Sequence, residues 1–135
     1  MTIQLSVAVR NARLDAIETT IGVSAKLQMW SGSMPTNCAA SSTGVKLVED
    51  ALASDWAASA ASGNKSFNNT PIVGTGLAIG VAGYFRLVDT TGVTCHMQGT
   101  ISEAGEGGDM IIDDTSITTG EQVNVTSFVM TDGNA

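Results

Sequence analysis

The sequence predicts a mainly β fold of one domain, a β-sandwich or jelly roll carrying an N-terminal α-helix. Three observations lead there. Apolar and polar residues alternate with period two over several short segments, clusters of Gly, Ser, Thr and Asn separate those segments, and only one stretch, near the N-terminus, has a helical period. A chain of 135 residues is the usual size for one hydrophobic core. The expected division is therefore a helical segment over residues 1–22, packing on the core or on a neighbour, and a β-sandwich over residues 23–135.

The helix is expected from Ser6 to Ile21. Val7, Leu14, Ile17 and Ile21 fall near one face, Arg13, Asp15 and Glu18 fall elsewhere, and Gly22 supplies a stop. From Ala25 the period becomes two: Ala25, Leu27 and Met29 alternate with Lys26, Gln28 and Trp30 up to Ser31-Gly32-Ser33. After the turn residues Ser41 to Gly44, a second strand is expected over Val45 to Asp50. Ala51 to Ala61 reads either as a helical turn around Trp56 or as a loop anchored by that indole.

Ser62 to Gly76 reads as a long connection, with Pro71 barring a central strand. The clearest pattern follows it: Tyr84 to Asp89 alternates, Thr90-Thr91-Gly92 turns, and Val93 to Gln98 alternates again, a β-hairpin. Ala104 to Gly108 is a flexible turn before a short strand, Met110 to Asp113. Ser116 to Thr118 and Gln122 to Met130 are the last strands, with Val123, Val125, Ser127 and Val129 on one face. The expected core thus includes Val93, Cys95, Met97, Val123, Val125 and Val129.

Hydrophobic residues make up 43% of the chain and charged ones 14%, too apolar a balance for disorder. The abundant Ser, Thr, Asn and Gly suit strands whose uncharged outer faces can be buried against neighbours. Of the net charge of −7, the positive part lies in Arg10, Arg13, Lys26, Lys46, Lys65 and Arg86. Asp89, Glu103, Glu106, Asp109, Asp113, Asp114, Glu121 and Asp132 follow with no base among them. That acidic block repels phosphate backbones, so no nucleic-acid partner is expected. The longest weakly polar run, Val73 to Gly83, is broken by four glycines, so no membrane span is expected either. Arg10, Asn11, Arg13 and Asp15 interrupt any signal-peptide core, and the expectation is a protein that folds where it is made.

No residue is assigned a catalytic, cofactor-binding or metal-binding role. His96, the single histidine, has Thr94 and Gln98 on its strand face, while Cys95 points to the other face. Glu106, Asp109, Asp113 and Asp114 lack the spacing of a calcium loop and read as turn charges. Gly74 to Gly80 and Gly105 to Gly108 lack the Lys-Ser/Thr and helix of a phosphate loop. Cys38 and Cys95 read as two buried thiols or, in an oxidising environment, a disulfide; spacing leaves both open.

Five segments taken in order carry a resemblance: Ala8 to Glu18, Pro35 to Ala40, Ser54-Asp55-Trp56, Thr94 to Thr100 and Val125 to Phe128. Together they resemble short structural proteins of tailed bacteriophages and prophages, whose motifs carry no known chemistry. Asn69 to Pro71 and Ile72 to Ala82 depart most from that pattern. The resemblance implies a virion component, made in the host cytoplasm and not an enzyme, with no cofactor. Its partners would be itself, as a dimer or trimer, and other phage structural proteins such as the major capsid protein. A capsid decoration or cement protein is the first expectation, with the N-terminal segment and the Ser62 to Gly76 connection supplying contacts; a tail, neck or fibre component is the alternative. A carbohydrate-binding module would have to use Trp30, Trp56 or Tyr84.

Overall fold

The chain enters its first element at Ser6, whose hydroxyl accepts the Val9 amide at 3.3 Å and caps α1 (Val7–Ile21). The computed structural model describes residues 3–68 and 70–134; Asn69, inside the segment expected to be a long connection, and residues 1, 2 and 135 lie outside them. Gly22, at φ 93°, ends the helix, its amide donating to the Glu18 carbonyl at 2.9 Å. Leu14 and Ile21 are buried and Ile17 packs against the core. Val7 departs from the expected face: it is exposed, since the first turn carries no buried residue.

Nine strands follow among the described residues: β1 (Lys26–Ser31), β2 (Lys46–Ala51), β3 (Asn64–Ser66), β4 (Ile72–Thr75), β5 (Gly80–Val88), β6 (Cys95–Ser102), β7 (Met110–Ile112), β8 (Ser116–Ile117) and β9 (Gln122–Thr131). Over the described residues the protein is mainly β with one helix. Hydrogen bonds link the strands into one mixed sheet in the order β2-β1-β5-β6-β7-β9-β3, with β4 paired to β9 and β8 to β5. Among the described residues only β6 and β7 run parallel. The sheet curls until β4 comes against β2, so tightly that a Cβ on Gly74 would stand 2.8 Å from Val48 Cγ1. The result is a partly closed barrel around Leu27, Met29, Leu47, Phe85, Leu87, Met110, Ile112 and Val125.

The hairpin read from the sequence is β5 and β6, closed by the Asp89 to Thr94 turn. The expected connection from Ser62 to Gly76 is corrected: it contains β3 and β4, both antiparallel to β9. Pro71 stands just before β4, where its missing N–H breaks no ladder bond. The Ala51 to Ala61 stretch is a loop held by its indole: Trp56 is buried and its Nε1 donates to the Gly22 carbonyl at 3.1 Å. From there an aromatic chain crosses the core, Trp56 to Phe67 to Phe128 to Phe85, with ring centroids 5.9, 4.7 and 5.3 Å apart.

Two bulges correct the expected core. Val125 faces Ile112 and Ser127 faces Ile111, so Thr126 is an extra residue in β9. An extra residue inverts the inside-outside phase, and Phe128 rather than Val129 turns inward; Val129 is 52% exposed. In β6, Cys95 faces Val88 and Met97 faces Leu87, which makes His96 the extra residue. Met97 packs on the core, but Cys95 moves to the opposite face, half-buried. Val93 precedes β6 in the turn and is 82% exposed. Val123 and Val125 are buried as expected.

Candidate functional site

Strand pairing places side chains of four strands on one face in rungs. Glu49, Gln28, Arg86 and Gln98 form one rung across β2, β1, β5 and β6; Trp30 and Tyr84 form the next. Gln28 Nε2 donates to Glu49 Oε2 at 2.7 Å, and Trp30 Nε1 donates to Gln28 Oε1 at 3.2 Å. The Trp30 and Tyr84 rings stack at 6.4 Å and 9°. Lys46 Nζ reaches Glu49 at 2.7 Å and Lys26 Nζ at 3.7 Å. Hydrogen bonding from Lys46, with Gln28 adding, holds the Glu49 carboxyl below its usual range against the opposing effect of burial.

The segment from residue 33 to 44 folds over this face. Tyr84 takes both backbone groups of one residue, its hydroxyl accepting the Thr43 amide at 2.8 Å and donating to the Thr43 carbonyl at 2.7 Å. Buried Arg86 donates from Nη2 to the carbonyls of Asn37 at 3.3 Å and Ala40 at 2.8 Å and to Gln98 Oε1 at 3.0 Å, and from Nη1 to Ser42 Oγ at 3.3 Å. No carboxylate among the described residues pairs with it. A buried guanidinium solvated by neutral oxygens is stable only while the segment stays in place. Gln98 Nε2 adds a bond to the Pro35 carbonyl at 2.7 Å. Cys38 lies inside this clamped turn, which Arg86 holds through the carbonyls on either side of it, over the face that carries Cys95 of β6. Burial, then the neighbouring Cys38 thiol, push the Cys95 pKa up to about 12, with Arg86 acting weakly the other way.

A second cluster seats α1. The Lys65 side chain, on β3, is 1% exposed and lies 2.8 Å from Asp15 Oδ1 and 2.9 Å from Glu18 Oε2. Burial pulls the Lys65 pKa down, and the hydrogen bonds it donates to both carboxylates raise it by more. Asp15 also accepts the Ala60 amide at 2.8 Å, Asn11 Oδ1 the Gly63 amide at 2.9 Å, and Glu18 the Ala57 amide at 3.3 Å. Arg13 Nε meets Asp132 at 3.2 Å. These polar contacts were not anticipated from the sequence, where Asp15 and Glu18 fall on the face away from the core. One signal was available: Lys65 is the only charged residue between Asp55 and Arg86.

His96 is exposed and borders a groove of about 360 Å³ with Arg13, Ile17, Thr20 and Met97; among the described residues no carboxylate lines it. The acidic residues act as turn caps. Asp109 Oδ2 accepts the Thr100 amide and hydroxyl, each at 2.8 Å, Asp113 accepts the Asn124 amide at 3.0 Å and its Nδ2 at 2.6 Å, and Asp114 accepts the Ser116 amide at 2.8 Å. Burial acts to raise Asp113, but the Asn124 bonds outweigh it and its pKa is lowered. Among the described residues no three His, Cys, Asp or Glu side chains are gathered as a metal site would need, and Glu106 stands apart in its turn. Gly105 and Gly107 have positive φ in that same turn.

The most distinctive surface is apolar. Ile79 is 76% exposed, and Leu77, Val81 and Val45 are exposed as well. The Leu77 amide donates to the Leu47 carbonyl at 2.7 Å, Gly80 abuts Leu47 and Ser31, and the Val45 amide donates to Ser31 Oγ at 2.9 Å, so all four lie at one end of the sheet. No protein-family model, curated protein or solved structure matches the chain.

Proposed function

We propose that the protein is a non-catalytic structural component of a tailed-phage particle, a decoration or cement protein that docks on coat subunits in many copies. The observation that carries this reading is the apolar end formed by Val45, Leu77, Ile79 and Val81. No charged residue falls between Lys65 and Arg86, so Leu77, Ile79 and Val81 present an uncharged surface whose burial costs little desolvation. The ordered resemblance of five segments to phage structural proteins supports the same reading. A weak apolar contact repeated by symmetry over many copies gives large total stabilisation. In this reading the two flanks of the curled sheet, β2 with β1 on one side and β4 with β9 on the other, serve as the layers of a sandwich-like body.

Quantitative mass spectrometry of purified particles tests it. Hundreds of copies per particle are expected, with Ile79→Asp protein folding normally but losing most of its occupancy. Absence from purified particles overturns the virion reading, and a few to some tens of copies replaces head decoration with a tail, neck or fibre role.

A further inference from the structure

We propose that Cys38 and Cys95 are a built disulfide site, at which a small disulfide oxidant such as oxidised glutathione closes a bond that locks the 33–44 segment onto β6. More than a third of the chain separates the two residues, so bringing the turn of Cys38 over the face of Cys95 is a product of the fold. Two side chains from neighbouring strands create it. Arg86 and Gln98 face each other across β5 and β6, and both hold the turn that carries Cys38, through the carbonyls of Pro35, Asn37 and Ala40. The bulge at His96 then places Cys95 opposite Val88, on the same face as Arg86. Without that extra residue Cys95 would point into the barrel, away from the clamped turn. Both thiols are free and half-buried.

The step balances as two exchanges. The Cys38 thiolate attacks one sulfur of oxidised glutathione, releasing one glutathione and leaving a mixed disulfide. Cys95 then gives up its proton and attacks the Cys38 sulfur, releasing the second glutathione as the protein disulfide forms. The product is the same whichever thiolate opens the exchange, since the other then attacks the mixed disulfide. Closing so long a loop restricts the unfolded chain, which raises the melting temperature by roughly 5–15 °C.

The test treats the native full-length protein with oxidised glutathione, quenches with N-ethylmaleimide, and combines intact mass, non-reducing peptide maps and thermal melts. The expected product has lost the mass of two hydrogens, takes no maleimide, yields a linked peptide containing Cys38 and Cys95, and melts higher until dithiothreitol reverses it. Cys95→Ser protein is expected to stop at one glutathione on Cys38. A wild-type chain that keeps glutathione on either cysteine, links to a second chain, or fails to react overturns the site. A linked form that melts no higher than the reduced form overturns the lock.

Discussion

Substituting Phe128 and Val129 separately measures the bulge in β9. With Thr126 inserted, the Phe128 ring lies in the core, 4.7 Å from Phe67 and 5.3 Å from Phe85 by centroid, while Val129 is 52% exposed. Burying a phenylalanine contributes about 1.5–3 kcal/mol, and two aromatic pairs add about 0.5–1.5 kcal/mol each. Phe128→Ala should therefore cost about 4 kcal/mol, within the range of about 3–5 seen for such truncations. Val129→Ala should stay within about 0.5 kcal/mol, as surface changes do. In urea, with a slope of about 2 kcal/mol per molar, the first variant loses about 2 M in midpoint and the second almost nothing. Strict alternation from Val123 predicts the reverse order. Equal losses, or a larger loss for Val129→Ala, would refute the bulge and with it the inward placement of Phe128.

The Lys65 cluster predicts that Glu18→Gln with Asp15→Asn destabilises the protein far more than Lys65→Met, because the double variant leaves an unpaired buried ammonium and the methionine does not; chemical denaturation compares them, and a more stable double variant would contradict the pairing. Arg86→Lys should cost about 2 kcal/mol, since one ammonium cannot reproduce the fork to Ala40, Gln98 and Ser42, and should speed amide exchange in residues 37–43; unchanged exchange there would count against the clamp. The pH profile has two edges. Asp15, Glu49, Asp89 and Asp113 all have lowered folded pKa values, Asp89 to about 2 through its bond from the Thr91 hydroxyl, so their stabilisation is complete above the ordinary 3.8 to 4.5 and is lost as pH falls toward 2. Burial raises Asp50, which opposes them by gaining stability as pH falls. Lys65 is raised, so its contribution is complete below 10.5 and lost as pH climbs through its higher folded value. Melting temperatures should fall at both edges, and a continuous rise from pH 5 to 2 would show that Asp50 dominates.

The helix and the hairpin were legible as elements because their ends are marked: Ser6 and Gly22 bracket one, and Thr90 to Gly92 turns the other. β3 and β4 were not, since strands of three and four residues containing Asn64 and Gly74 are too short to show alternation and exist only through pairing with β9. The bulges at His96 and Thr126 were invisible for a related reason. An extra residue changes the phase of everything after it, and the sequence carries no mark of where the partner strand forces it. At the outer face, Trp30, Arg86 and Gln98 were readable as strand residues, but what covers them was not: the 33–44 segment is placed by Tyr84 and Arg86 reaching backbone groups, which any residue in that segment would offer.

The seating of α1 bears on how the protein would attach to a particle. From the sequence, a terminal helix could close its own core or extend into a neighbour, and the N-terminal segment was an expected source of contacts. Here Asn11, Asp15 and Glu18 accept amides of Gly63, Ala60 and Ala57, and the same two carboxylates neutralise Lys65. Moving the helix away would strand three backbone donors and a buried ammonium together, at a cost of several kcal/mol against a total stability of about 5–15. A contact that requires α1 to leave is therefore disfavoured, whereas one at the end bearing Leu77, Ile79 and Val81 requires no rearrangement. Removing residues up to Ile21 would then impair folding before it impaired attachment. Ile79→Asp, which breaks no internal bond, separates the two.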